Sequence, residues 1–548
     1  MIKLNSAVLL FLFLVASCNT ENRKQNILKD INEKSSYNIS SQIIDSITIN
    51  NFLIKNNISD SVKIQVNQFY QKRNYNFAWL NNYGAKQAVF IFNNQLKNYN
   101  YNFADSSLNN AKLVLLINAL NEDKESFLSQ KNNSEQLELQ LTTTFFKFAK
   151  TVYGGSAKNL QDLEWFIPRQ YKNYQSLIDS LIVTTKGEKL NEPLNEYYFR
   201  LKIKLIQYRN IEKNGGFPII RSFKKTLSIN SIDSIIIHIK KYLLLTSDLK
   251  INDNTTLFTD LLQKSVKNFQ RRMGLKESGS IDSLTTIELN KPVAYRINQI
   301  MVNMERLRWL PANMEKDFLL INIPEFKLYV FNNTQPVWVT NIVVGKSATQ
   351  TSIFKGKISQ IILNPYWGVP QSIANKELLP HLKQNPNYLE TNNMEVLSGN
   401  KLINTNNINW NNYESHVPFT FRQKPGKNNA LGKIKFLFPN SYDIYLHDTP
   451  SKNLFDDTQR AFSHGCIRVS NPKKLVSYLL PDSSNWNMQK ITKVLKTDKE
   501  TTIKLITKIP IYIVYFTSWV DNSGQLNFRN DLYNLDKKLS IEIFGEDK

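Results

Sequence analysis

Apolar residues return every three or four positions from about residue 46 to 230, as at Phe145, Phe148 and Ala149 and again at Leu201, Leu205 and Tyr208. This is the period of helices that bury one face. Gly215-Gly216-Phe217-Pro218 interrupts it, because consecutive glycines and a proline do not continue a helix. The stretch holds little that bears chemistry and reads as scaffold. Residues 231–290 predict a compact unit of three helices, with Phe258, Leu262, Val266 and Phe269 on one face and Gly274 at its end. Asp282 stands where it would cap a last short helix through Leu284 and Leu289. After Pro292 a helix carries Asn303 to Trp309 and stops at Pro311, and beyond it the period falls to two. Phe318 to Phe331 and Val337 to Gly345 read as adjacent strands joined at Asn332-Asn333, with further strands at 358–363, 434–438 and 443–446. Residues 371–421 interrupt them with a helix-like piece and an Asn-rich loop, and insertions of this length in a β-domain are usually lids or substrate loops. The pattern predicts an α+β multidomain chain: a helical scaffold at 47–230, a three-helix domain at 231–290, a mostly-β domain at 291–500 carrying the insert, and a closing segment at 501–548.

Composition changes this picture little. A length of 548 residues suits several domains, and 41% hydrophobic and 11% aromatic residues supply several cores, which excludes wholesale disorder. Repeats of solenoid or propeller period are not apparent. The formal charge of +23 is spread along the chain. It suggests a polyanionic neighbour, which nucleic acid, a membrane surface or an acidic wall polymer would satisfy equally.

The two cysteines say more. Cys18 follows Lys3, an apolar run from Ala7 to Ala16, and Ser17. The run is too short for a membrane span, which needs about 20 residues, and fits a secretory signal at 1–17. Val15-Ala16-Ser17-Cys18 resembles the lipobox of bacterial lipoproteins, in which Cys18 would receive lipid, with a polar tether at 18–46. No second thiol then remains for Cys466. An exported protein that keeps one free cysteine in an oxidising compartment needs a chemical reason, and a nucleophile is the leading one.

The context of Cys466 supplies it. His447 is followed, after fifteen residues, by Ser463-His464-Gly465-Cys466-Ile467-Arg468. Composition alone predicts His-Gly-Cys about 6×10⁻⁴ times per chain. A thiol of ordinary pKa is mostly protonated at neutral pH, so a cysteine nucleophile wants an imidazole within reach. His464, two positions before Cys466, would share its side of an extended chain. His447, ending an apolar strand, would come across by strand pairing. Gly465 would let backbone approach a tetrahedral intermediate, whose oxyanion nearby N–H groups would stabilise. Ser470-Asn471-Pro472 begins a helix directly afterwards, with Leu475, Val476 and Leu479 inward, so the nucleophile is expected on a short strand or turn held against a helix.

The His-x₁₅-Ser-His-Gly-Cys-Ile-Arg arrangement resembles the signature of the L,D-transpeptidase family (YkuD-type catalytic domain). The similarity extends to the large multidomain Gram-negative members. Phe69-Tyr70, Arg73, Tyr75 and Ala78-Trp79 resemble their scaffold motif, and Gly215-Gly216-Phe217-Pro218 their Gly-Gly-Trp-Pro. Val266, Phe269-Gln270, Gly274-Leu275, Gly279, Ile281-Asp282, Thr285 and Leu289-Asn290 resemble a peptidoglycan-binding three-helix domain. Asn364 to Ile373 resembles the start of a capping subdomain, and Tyr515 to Tyr533 the family's closing segment. Thr351-Ser352 departs from a usual Thr-Pro, which reads as a loop detail. The resemblance implies that Cys466 attacks the third-residue carbonyl of a peptidoglycan tetrapeptide stem, releases D-Ala, and passes the acyl group to a neighbouring amine as a 3→3 cross-link. It implies His447 as general base, oriented by the carbonyl of Asp448, and His464, Gly465 and Tyr445 around the oxyanion. Arg468 is either a substrate carboxylate ligand or a buried ion-pair partner; Trp367 is core or a lid contact; Ser463 is a further substrate-side candidate. No cofactor or metal is implied. The implied partners are peptidoglycan stems and, through the lipid on Cys18, a membrane, which places the protein in the cell envelope at an outer membrane facing the periplasm.

Four rivals stand beside this reading. A zinc site on His447, His464 and Cys466 lacks the usual ligand spacing. Nucleic-acid binding lacks a recognition module. An L,D-carboxypeptidase, in which water replaces the acceptor amine, and a non-catalytic lipid-anchored tether that only binds stems would both use the same fold. His238, His381 and His416 have no sequence partners and read as structural or surface residues.

Overall fold

In a computed structural model, which describes residues 40, 42–103, 105–157, 159–185, 192–221, 225–385, 387–405, 408–480 and 485–545, helices prevail as far as Trp309 and strands from Phe318 onward. Cys18 and the segment around it lie outside the described residues. The chain divides into two compact units, Met1–Ser156 with Tyr171–Pro193, and Ala157–Gln170 with Leu194–Lys548. Among the described residues no helix is long and apolar enough to cross a membrane.

The first unit is helical, and its centre is the helix Lys131–Phe148, which is buried on nearly every side from Leu137 onward. A helix surrounded in this way needs internal partners for its polar residues. Glu138 supplies a carboxylate that accepts hydrogen bonds from the backbone N–H groups of Ala78 and Trp79, while Thr142 Oγ1 lies 2.8 Å from the Tyr70 hydroxyl and accepts from Trp79 Nε1 at 2.9 Å. Arg73 pairs with Asp179 and stacks its guanidinium 3.9 Å from the centre of the Phe69 ring. Tyr70, Ala78 and Trp79 are therefore bound together through the Glu138 carboxylate, while Arg73 ties Phe69 to Asp179.

In the second unit the helix Glu196–Lys213, which periodicity alone groups with the scaffold, instead packs on Val293–Trp309. The boundary falls there because Tyr198, Leu201, Leu205 and Tyr208 need an apolar partner, and the buried face of Val293–Trp309 offers it. The three helices expected in 231–290 are Ile235–Leu245, Asp260–Met273 and Ser283–Leu289. Gly274 ends the second in the left-handed region at φ 69°, and Asp282 caps the third through the Thr285 N–H at 2.8 Å. Gln270, fully buried, clasps the loop between them, donating to the Ser280 carbonyl and accepting from the Gly279 N–H at 2.8 Å each.

The main sheet has nine strands, numbered here in chain order: β1 Phe318–Asn322, β2 Lys327–Asn332, β3 Gln335–Gly345, β4 Lys355–Leu363, β5 Ile434–Leu437, β6 Leu446–His447, β7 Ala461–Ser463, β8 Ile467–Val469 and β9 Thr501–Val514. Their order is β7-β3-β8-β6-β5-β4-β9-β1-β2, and a further pairing of β2 with β3 closes the sheet on itself. The start of the closing segment is thus a central strand: β9 lies between β4 and β1, running parallel to β1. The insert forms its own small sheet, Trp367–Val369, Thr420–Gln423, Met394–Ser398 and Lys401–Leu402, over a core that includes Leu378, Leu382, Val396, Trp410 and Phe421.

Candidate active site

Strand register assembles the site. In β5, Ile434 and Phe436 point to the core while Lys435 is half-buried on the other face; the same alternation leaves Leu446, Ile467 and Val469 inside. His447 is paired with Lys435 across the antiparallel β5–β6 ladder and with Arg468 across the parallel β6–β8 ladder. Paired residues share a face, so Lys435, His447 and Arg468 form a row across three strands. One step back along the parallel pair, the Ile467 N–H donates to the Tyr445 carbonyl at 3.1 Å. Tyr445 and Cys466 therefore sit on the same face, beside the row.

His447 is buried, and its Nδ1 lies 2.5 Å from the carbonyl of Asp448. A carbonyl only accepts, so Nδ1 carries the proton and Nε2 keeps a lone pair. The Asp448 carboxylate is turned away: it accepts from the Lys433 N–H at 2.9 Å and pairs with Lys452. Burial, helped by the positive field of Arg468, pushes the imidazole down to about 3. The half-buried Cys466 thiol donates to the Asp443 carbonyl at 3.6 Å rather than to His447. Burial raises its pKa, opposed by the neighbouring N–H and hydroxyl of Tyr445. The resting pair is thus neutral thiol and neutral imidazole, not a preformed ion pair.

The Tyr445 hydroxyl interacts with both the Cys466 thiol and the Trp367 indole, and its ring lies 5.7 Å from that of His447. Trp367 is half-buried and starts the insert's first strand, so it is a contact between the insert and the site. Arg468 meets no carboxylate at ion-pair distance among the described residues, and its Nε is buried without a hydrogen-bond partner. Of the two roles open to it, ion pairing is the one for which the described residues offer no partner.

The segment between β7 and β8 is a turn, not an extended strand. β7 runs parallel to β3 and β8 antiparallel to it, so the chain must reverse over residues 464–466. Gly465 takes φ 114° in that reversal, a conformation costly for any residue with a Cβ. The reversal carries His464 out of the plane expected of an i, i+2 pair: it is exposed, with Nε2 2.7 Å from Glu377 of the insert. Ser463 is buried and acts inside the turn, donating to the Cys466 carbonyl at 2.6 Å and accepting from the Gly465 N–H at 3.1 Å. With the Gly465 N–H so occupied, the N–H groups of His464 and Cys466 are the ones left for an oxyanion. Thr351 braces the turn from beneath, donating to the Gly465 carbonyl at 2.7 Å and accepting from the Gly345 N–H at 2.9 Å. Lys435 and Glu377 were not singled out from sequence, and strand register would have been needed to find the first; Thr351, read from sequence only as part of a loop detail, instead holds the turn that carries the nucleophile. No group of three His, Cys, Asp or Glu side chains among the described residues is placed to hold a metal ion.

Comparison with known proteins gives the following. A family model described as the L,D-transpeptidase catalytic domain matches residues 316–495, and one described as a scaffold domain matches residues 64–205. A Haemophilus influenzae protein whose name places it among the L,D-transpeptidases is 32% identical over 247 residues, which is 44% of this chain and 49% of that protein. The chain thus spans about half the length of this curated relative. Among solved structures, an L,D-transpeptidase from Stackebrandtia nassauensis aligns at 13% identity over 54% of this chain and 96% of its own, with a TM-score of 0.21. L,D-transpeptidase 1 of Mycobacterium tuberculosis aligns at 13% identity over 36% and 61%, with a TM-score of 0.15.

Proposed function

We propose that this chain, whose residues 316–495 match the L,D-transpeptidase catalytic domain, cross-links peptidoglycan through an acyl-enzyme on Cys466. The observation that carries this reading is the shared face of Tyr445, His447, Cys466 and Arg468 set by the β5–β6–β8 register. In the proposed cycle the Cys466 sulfur attacks the third-residue carbonyl of a tetrapeptide stem while His447 Nε2 takes the thiol proton. The N–H groups of His464 and Cys466, with the Tyr445 hydroxyl, stabilise the oxyanion. Collapse breaks the bond to the terminal D-Ala, whose amine leaves with the proton from His447, and a thioester remains. An amine of a second stem then attacks the thioester, gives its proton to His447, and forms the 3→3 amide as the thiol re-forms. Arg468 holds a substrate carboxylate, and Trp367 lines the entrance from the insert. The peptidoglycan layer is the proposed partner, with the protein held in the cell envelope by lipid on Cys18, at an outer membrane facing the periplasm.

The test is mass spectrometry of the soluble protein after incubation with disaccharide-tetrapeptide. A thioester on Cys466 and a 3→3 dimer are expected, and both should vanish in Cys466→Ala with little loss of fold. Tripeptide without dimer would replace the proposal with a carboxypeptidase. Folded protein giving neither adduct nor product would leave only a stem-binding tether.

A further inference from the structure

Lys435 has no role in the cycle above, yet it sits at the centre of the site. Its ammonium lies 3.9 Å from the centre of the Tyr445 ring, on the face that carries His447 and Cys466. Among the described residues no carboxylate comes within ion-pair distance of it, and no hydrogen bond from it is found. The ionisable groups that act on it are the Cys466 thiol, neutral at rest, and Glu500; Arg468 lies two strands away on the other side of His447. A half-buried ammonium without an anion is costly, and a contact with an aromatic face offsets only part of that cost. A structural lysine would be expected to have found a carboxylate.

The ammonium also opens onto space. Lys435 and Tyr445 line a cleft of about 330 Å³ together with Ser359, Gln360, Asn440 and Asp443. The carbonyl of that Asp443 accepts the Cys466 thiol proton, so the cleft begins at the nucleophile. Asn440 is spent on the backbone of its own loop and Ser359 on the Leu437 carbonyl, so beside Asp443 and the apolar Leu437, Phe438 and Ile444 the walls offer the Lys435 ammonium and the Gln360 amide. That is the chemistry of a site for a carboxylate on a peptide.

We propose that the cleft beside Cys466 is a substrate subsite in which Lys435 binds one carboxylate of the stem peptide, while Arg468 on the opposite side of His447 binds another. This rests on the stem-peptide reading above and deepens it. A tetrapeptide stem ending in D-Ala carries a terminal carboxylate and, with a diaminopimelate third residue, a side-chain carboxylate. The two cations flank the catalytic row, so a donor engaging both is fixed across the scissile carbonyl. Neutralising the pair of cations on binding also weakens the positive field that, after burial, disfavours a protonated His447.

The experiment compares three donors in single-turnover acylation of Cys466, followed by mass spectrometry: the tetrapeptide stem, the same stem with a C-terminal carboxamide, and the same stem with a side-chain carboxamide. Wild-type protein should lose about 10- to 100-fold in apparent second-order rate constant on one of the two amides through Lys435. Lys435→Gln should acylate with the carboxylate donor at that reduced rate and show no further loss on the same amide. Lys435→Arg should recover most of the discrimination. The identity of the sensitive amide tells which carboxylate occupies the cleft. Unchanged discrimination against both amides in Lys435→Gln, with an unaltered unfolding midpoint, would overturn the subsite. Wild-type protein that discriminates against neither amide would overturn it as well. Absence of any adduct from wild-type protein with all three donors would instead remove the stem-peptide reading, and the subsite with it.

Discussion

A cysteine that is both half-buried and unaccompanied by an imidazolium reacts slowly until something changes its surroundings. Burial raises the Cys466 thiol and depresses the His447 imidazole, so each is neutral at pH 7. Alkylation of the free protein by iodoacetamide should therefore climb with pH through and beyond the ordinary thiol range, with no plateau near neutrality. A plateau between pH 6 and 8 would show a resting thiolate–imidazolium pair and contradict this electrostatic picture. Cys466 and His447 were legible in the sequence because rare residue types stood in a fixed local spacing. Lys435 was not, since it is one lysine among many until the β5–β6 register sets it opposite His447. Nor was the role of Thr351, whose hold on the Gly465 carbonyl spans 114 residues. His464 shows the converse failure: an i, i+2 rule presumes an extended chain, and the reversal at Gly465 removes that premise.

At the scale of elements, the insert is built so that it can be lifted out. Val369 and Phe421 are cross-strand partners, as are Gly368 and Arg422, so the chain enters and leaves the insert at adjacent points of one ladder. Its apolar residues pack on one another. Replacing residues 371–420 by a short Gly-Ser link, with Phe421→Thr to cover the exposed ring site, should leave the main sheet folding cooperatively. Acyl transfer should fall by at least about tenfold, because Glu377 no longer meets His464 beside the nucleophile. Loss of cooperative unfolding in the excised protein would mean that the insert is part of the core; undiminished acyl transfer would mean that it is no lid. The three small helices and most of the alternating strands could be read from periodicity, as could the insert's existence; that Phe318 to Phe331 folds back on itself at Ile323–Glu325 as β1 and β2 could not. The allegiance of Glu196–Lys213 could not, because an apolar helical stripe does not name its partner. The same holds for β9, whose near-continuous apolar end at Ile511 to Val514 shows burial but not that it lies between β4 and β1.

The whole molecule joins two units whose buried titratable groups respond to acid in opposite senses. In the first unit Glu138 is enclosed by the long helix and the loop at Ala78-Trp79, facing Tyr70, Lys86 and Arg73, and burial raises its carboxyl to about 7. An acid whose folded pKa exceeds its unfolded value favours folding fully below the unfolded value, near 4.5, and loses that advantage as pH rises through 7. In the second unit His447 faces Arg468 and Lys435, and its folded pKa falls to about 3 from 6.5. Its contribution is intact above 6.5 and is lost as pH falls toward 3. Other groups also titrate, Glu325 among them, so each contribution is read as a difference between wild type and a variant that cannot ionise. Calorimetry of wild type, Glu138→Gln and His447→Asn at pH 4.5 and 7.5 should separate the two. The stability of wild type relative to Glu138→Gln should drop by about 3 kcal/mol on going from the lower to the higher pH, in the transition of the first unit. Relative to His447→Asn, wild type should gain stability over the same change, in the transition of the second unit. Differences of the same sign for both variants would show that one of these two groups is not held in the protonation state that its burial dictates.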